Sequence, residues 1–337
     1  YRFDQPVIHG LQQLRLKPRS SPGQAVIDWR MTLEGAQVEV EYEDQNRNRT
    51  TLASAIPGAM EVTITCEGLV ETADRSGIVG PHSGFMPLWL YCNQTALTEP
   101  GPKMRALAAS FRAETADRLD ALHRLSGAVQ AAVGYEIGRT TAATLAEQAL
   151  ASGHGVCQDH AHIFLGCARL LGIPARYVSG YLMLTDRIEQ EAGHAWVEAH
   201  VDHLGWVGFD ISNGISPDER YVRVATGRDY REAAPVTWGS SAASAWGFDS
   251  SEALRSESAS RICGSLALAP LSAERGRLGI TGASDVVCNP LIPRRLGVSH
   301  DMGRGQRVPV PQAGSPVRDR ATEIAGRARR DAARSQP

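Results

Sequence analysis

The chain has 337 residues, 42% of them hydrophobic and 21% charged, and a formal net charge of −2. That length suits one or two domains, and the near-zero charge gives no general argument for nucleic acid or an acidic substrate as partner. No run of about 18 apolar residues occurs, so no membrane span is expected and a cytoplasmic setting is the simplest reading. The sequence opens at Tyr1 rather than Met, which leaves room for an upstream segment such as a signal peptide. The cysteines (Cys66, Cys92, Cys157, Cys167, Cys263 and Cys288) have no regular spacing. They do not read as a disulfide framework, and a reducing compartment follows.

Residues 1–75 read as an N-terminal β domain. Leu11 to Pro18, Gln24 to Leu33, Gln37 to Tyr42 and Met60 to Cys66 hold β-branched alternation between turn signals. Val38, Val40 and Tyr42 recur at every second position, as in a half-buried antiparallel sheet. A small β-sandwich is expected. Residues 76–101, through Gly80, Pro81 and Pro87, read as a linker. Helices dominate the start of the next stretch, 102–238. Leu119, Leu122, Leu125, Val129 and Ala132 mark one face of a helix from about Thr115 to Val133. Leu145, Ala149 and Leu150 mark another, with Thr141 as its expected N-cap.

A third helix opens at Cys157. Ala161, Phe164, Leu165, Ala168 and Leu171 recur at three- and four-residue steps, and Gly172 with Pro174 stops the helix. Gly153 and Gly155 allow a tight approach into its first turn. A thiol there feels the positive end of the helix dipole and unpaired N–H groups, which favour the reactive thiolate and offer to hold an oxyanion. A cysteine at a helix start is more often an inert packing residue, and Cys167 on the same helix fits that description. The strands that follow set Cys157 apart.

Those strands are expected at about Ala175 to Leu184, Ala192 to Val201 and Trp206 to Asp210. His194, Trp196, Glu198 and His200 alternate with Ala195, Val197, Ala199 and Val201. An odd-length turn places His194 and Asp210 on one face of the sheet. A five-residue loop, His200 to Leu204, would make them direct neighbours; a three-residue loop is expected to leave them four residues, ~13 Å, out of step. Cys157, His194 and Asp210 then supply a nucleophile, a general base and a group that orients the base. Metal binding is the competing use of His154, Cys157, Asp159, His160 and His162. The spacing has no CxxC or HExxH, and on a helix Cys157 and His160 share a face while His162 points elsewhere. No metal and no cofactor are expected, and His162 is expected to be a packed or half-exposed helix residue.

GHGVCQDHAH, GHAWVEA, GWVGFD and PDERYVRVATGRDY, with GPHSGFMPLWL and VGYEIGRTT upstream, resemble the bacterial transglutaminase-like proteins, a branch of the papain-like cysteine fold. The resemblance covers roughly residues 1 to 238. It implies an α+β chain: a β-sandwich, then helices packed on an antiparallel sheet. It also implies the catalytic roles of Cys157, His194 and Asp210, and a hydrogen-bonding role for His160. Gln158, Trp196 and Trp206 are the other supporting residues expected from these motifs. Ile211 departs from the family, which usually has Pro there. The implied activity is acyl transfer on a peptide or carboxamide bond of a protein or peptide substrate. Hydrolysis ranks slightly ahead of transfer to an amine. The other reading is a non-catalytic binding module with a relic triad, against which all three residues are intact.

Residues 239–337 differ. From Ser251 onward there are 14 Arg, no Lys and 8 acidic residues, with no sustained period. Out-of-frame reading of GC-rich DNA would give much this composition. The tail is therefore expected to be of low order, a frameshifted or foreign sequence rather than an Arg-rich nucleic-acid arm.

Overall fold

The computed structural model describes residues 1–111, 117–183, 189–190, 193–238, 266–272 and 277–282. The chain begins with strands β1 (Leu11–Lys17), β2 (Gln24–Glu34), β3 (Ala36–Glu43), β4 (Arg49–Ala55), β5 (Thr63–Thr72) and β6 (Ile78–Gly80). A helical stretch follows: α1 (Pro102–Ala109), α2 (Arg118–Ala132), β7 (Gly134–Tyr135), α3 (Ala146–Ser152), β8 (His154–Gly155) and α4 (Cys157–Leu170). Then come β9 (Ala175–Leu182), β10 (Glu189–Gln190), β11 (His194–Val201), β12 (Gly205–Phe209), β13 (Tyr221–Gly227), α5 (Tyr230–Ala233), β14 (Val236–Trp238), β15 (Leu266–Ser272) and β16 (Arg277–Gly282).

Strands β1 to β5 join later strands in two antiparallel sheets, in the orders β14-β1-β4-β3 and β10-β15-β16-β5-β2. Leu14, Leu16, Ala53, Val62, Ile64 and Cys66 fill one buried cluster here, with Trp29, Met31 and Leu33 packed against it. β4 has no counterpart in the sequence reading. Its core-facing side chains include Ala53 and Ala55, too small to print a hydrophobic alternation. Of residues 239–337, the structure describes β15 and β16. β16 pairs along β5 from Arg277↔Glu71 to Gly282↔Cys66, and β15 pairs with β16. The rest of residues 239–337 lies outside the described residues.

The second body is an antiparallel sheet in the order β13-β9-β11-β12-β6, with the helices on one face. α4 lies at its centre. Every residue from Cys157 to Arg169 is buried, so its neighbours enclose it on all sides rather than along one stripe. Close approach requires small residues: a Cβ on Gly166 would stand 2.6 Å from the Thr98 carbonyl oxygen. α2 is capped by Asp117, whose side chain accepts from the Asp120 N–H. Thr141 caps nothing helical. Its N–H donates to Thr144 Oγ1 at 2.9 Å in a local turn, and α3 begins only at Ala146. β13 and α1 were not foreseen as elements. No helix among the described residues is long and apolar enough to cross a membrane.

Candidate active site

Two glycines shape the entry to α4. Gly153 ends α3 with φ +73, a left-handed value. A Cβ on Gly155 would stand 2.7 Å from the Asp159 Cβ. The bare backbone there lets Asp159 fold back, and its Oδ2 accepts from the Val156 N–H at 2.8 Å and from Thr140 Oγ1 at 2.6 Å. Burial raises the Asp159 pKa, and those donors oppose the rise. Cys157 is the first residue of α4 and is buried. The first-turn N–H groups have no intrahelical acceptor, so the positive end of the helix lies at this residue.

Cys157 is half of a disulfide in this structure, whereas Cys66, Cys92 and Cys167 are free. The nucleophilic species is the reduced thiolate.

β11 and β12 bring the other two residues together. Val201 pairs with Gly205, which leaves a three-residue turn, Asp202–Leu204. His203 sits in it at φ 67 and Gly205 at φ 79. In this register Val197 lies opposite Phe209. Asp210 therefore stands across from Trp196, and His194 is two residues out of step rather than four, about 7 Å along the strand. A long side chain spans that. His194 Nε2 lies 2.6 Å from Asp210 Oδ2, and both residues are buried. With the carboxylate ionised, Nε2–H is the donor, and a neutral ring then has its lone pair on Nδ1. Nδ1 is buried and has no hydrogen-bond partner among the described residues.

Asp210 Oδ2 also accepts from Tyr221 OH and from Asn213 Nδ2, each at 2.7 Å. Burial alone would raise the Asp210 pKa; His194, Tyr221 and Asn213 outweigh it and hold the carboxyl below its ordinary value. Tyr221 and Asn213 were not foreseen as site residues. The one hint was Asn213-Gly214, a turn signal just after Asp210.

His160 ties the nucleophile helix to this cluster. Its Nε2 donates to the Val133 carbonyl at 3.0 Å, so its neutral ring accepts at Nδ1 from Ser212 Oγ at 2.8 Å. Burial lowers its pKa, and the Val133 carbonyl and the Asp210 carboxylate oppose that fall. Trp196 packs beside the base, its ring stacked on His194 at 6.2 Å and edge-on to Tyr221 at 5.4 Å. The remaining two expected supporters do other work. Gln158 Nε2 donates to the Ala142 carbonyl at 3.1 Å and anchors that loop. Trp206 lies four residues from Asp210 along the chain, under the Arg176 guanidinium at 4.0 Å, with its indole N–H donated to His82. Arg176 and Arg223 pair with the buried Glu198 in the same layer.

The histidines considered as metal ligands diverge. His154 Nδ1 is 2.8 Å from Glu136 Oε1 at the surface. His162 is fully buried rather than half-exposed; its Nε2 accepts from the Tyr230 N–H, and burial pulls its pKa down to about 3. Among the described residues no three His, Cys, Asp or Glu side chains gather as a metal site.

The model of the transglutaminase-like superfamily core matches residues 105–211, and that of the bacterial transglutaminase-like N-terminal region matches residues 1–71. The chain belongs to the transglutaminase-like superfamily. An uncharacterized protein of Mycobacterium leprae is 29% identical over 253 residues, covering 70% of this chain and 88% of its own. One of Mycobacterium tuberculosis is 27% identical over 266 residues, covering 70% and 83%. The fold is shared with a candidate cysteine protease from Cytophaga hutchinsonii, with TM-score 0.52 and 20% identity over 70% of this chain and 82% of that one. The superfamily match ends at Ile211, where the family more often has Pro. Here Ile211 is buried in the main core, immediately before the Ser212 and Asn213 that bond the site.

Proposed function

We propose that the reduced protein is a cysteine-dependent acyl-transfer enzyme acting on peptide or carboxamide bonds. The observation that carries this reading is the His194–Asp210 pair: one ring nitrogen is bound to a buried carboxylate, and the other has no hydrogen-bond partner among the described residues. An imidazole held in that tautomer is a general base awaiting a proton. His194 Nδ1 takes the Cys157 thiol proton, and the thiolate attacks the carbonyl carbon to form a C–S bond and an oxyanion. N–H groups at the start of α4 supply oxyanion donors in this reading. Collapse breaks the C–N bond, and the imidazolium gives its proton to the leaving amine. Asp210 stabilises the cation in between. Water or an amine then attacks the thioester, breaks the C–S bond and returns the proton to sulfur.

We rank hydrolysis ahead of transamidation, because water needs no second binding site while amine transfer needs one that also excludes water. A protein or peptide is the substrate in either case. The test is a reduced full-length chain given a glutamine-containing peptide and a primary amine. Release of acid or of conjugate, lost in Cys157→Ala, supports the reading. No turnover of any amide, with Cys157 no more reactive toward iodoacetamide than Cys167, would return the protein to the class of binding modules.

A further inference from the structure

We propose that Tyr221 and Asn213 are positioning residues that set the basicity of Asp210 and through it the proton affinity of His194, an inference that rests on the acyl-transfer reading above. A carboxylate has about four lone-pair sites over two oxygens. Here the side-chain donors crowd one of them. Oδ2 accepts from His194 at 2.6 Å and from Tyr221 and Asn213 at 2.7 Å, while Oδ1 accepts the Asn213 backbone N–H at 3.2 Å. Each added donor stabilises the anion and weakens its pull on the histidine proton. Together they fix the carboxylate rotation so that Oδ2 faces the imidazole.

The surroundings preserve that setting. Tyr221 is buried, and its phenol is pushed far above its ordinary range by burial and then by Asp210, so it remains a donor. Trp196, His194 and Tyr221 form a trio of rings, with His194 and Tyr221 6.0 Å apart. Among the described residues, the titratable groups that reach this cluster include His160 on α4, Tyr135 on β7 and, beside Tyr221, Asp218 and Arg220; in the acyl-transfer reading the Cys157 thiol joins them. Both proposed residues follow Ile211, beyond the matched core.

The experiment compares wild type, Tyr221→Phe and Asn213→Ala as reduced full-length chains. It measures kcat and KM for amide turnover, and Cys157 alkylation by iodoacetamide, from about pH 5 to pH 10. Loss of a donor concentrates charge on Oδ2 and stabilises the imidazolium. The pH limb belonging to His194 should move upward, kcat should fall about tenfold, in the range of lost outer-shell hydrogen bonds, and KM should hold. A fall in kcat with the limb unmoved would mean that Tyr221 only fills space, and unchanged rate and limb would equally overturn the proposal. If Tyr221→Phe does not fold, Asn213→Ala decides, since it keeps the backbone donor and alters a half-buried side chain. Failure of the wild type to turn over amides or alkylate selectively at Cys157 would instead remove the underlying reading, and this proposal with it.

Discussion

At the scale of single residues, two buried cysteines on one helix should behave in opposite ways. Cys167 sits among apolar neighbours, and burial pushes its thiol up to about 12. Cys157 stands at the positive end of the same helix. After reduction, iodoacetamide at neutral pH should modify Cys157 well before Cys167, as peptide mapping would show. Cys157→Ala should leave the fold intact and lower turnover by on the order of 10⁴ or more, because it removes a nucleophile and little volume. Chelation should leave turnover unchanged, since the proposed chemistry needs no metal and the His160 and His162 rings each bond a protein partner. Zinc that copurifies tightly and whose removal stops turnover would contradict this.

At the scale of elements, the sequence carried the identity of the strands further than their register. Alternation around His194 marked β11, and Gly172 marked the end of α4. The offset between His194 and Asp210 depended on where the turn closed, and Val201↔Gly205 is a choice made by His203 and Gly205 in left-handed backbone that residue patterning does not encode. Tyr221 was unreadable for a related reason: it reaches Asp210 only because β13 folds back against β9. His162 is a further consequence of packing, since a helix enclosed on all sides buries even its histidine. Its folded pKa, about 3, lies below its ordinary value of 6.5. A group depressed in this way leaves stability fully present above the unfolded pKa and erodes it as pH falls from about 6.5 toward 3, by up to about 1.4 kcal/mol per unit. His160, also depressed by burial, acts in the same direction. Glu198 and Asp210, held low by their partners, contribute loss only at more acid pH. Urea unfolding between about pH 6.5 and 4.5 should therefore show falling stability, and the slope should be shallower in a folded His162→Gln variant. An identical slope would place the acid sensitivity elsewhere.

At the scale of the whole molecule, the open question is what the residues after Trp238 contribute. Every residue given a chemical role lies before that point. β14 closes the sheet beside β1, from Gln12↔Trp238 to Leu14↔Val236, and the rings of Tyr1 and Phe3 meet Trp238 edge-on at 6.0 and 5.6 Å. A chain ending at Trp238 retains all of this, together with α4, β11, β12 and Tyr221. It loses β16, which occupies the edge of β5 along Cys66 to Glu71. An uncovered strand edge offers unpaired N–H and C=O groups to any other strand. The shortened chain should therefore keep kcat and KM for an amide substrate while self-associating more readily, as light scattering at rising concentration would reveal. Limited proteolysis of the full chain provides the complementary measurement. A resistant fragment ending near Trp238 with full turnover would show that the tail acts as an edge cover. A shortened chain that stays folded and monomeric but loses turnover would place part of the working enzyme beyond Trp238.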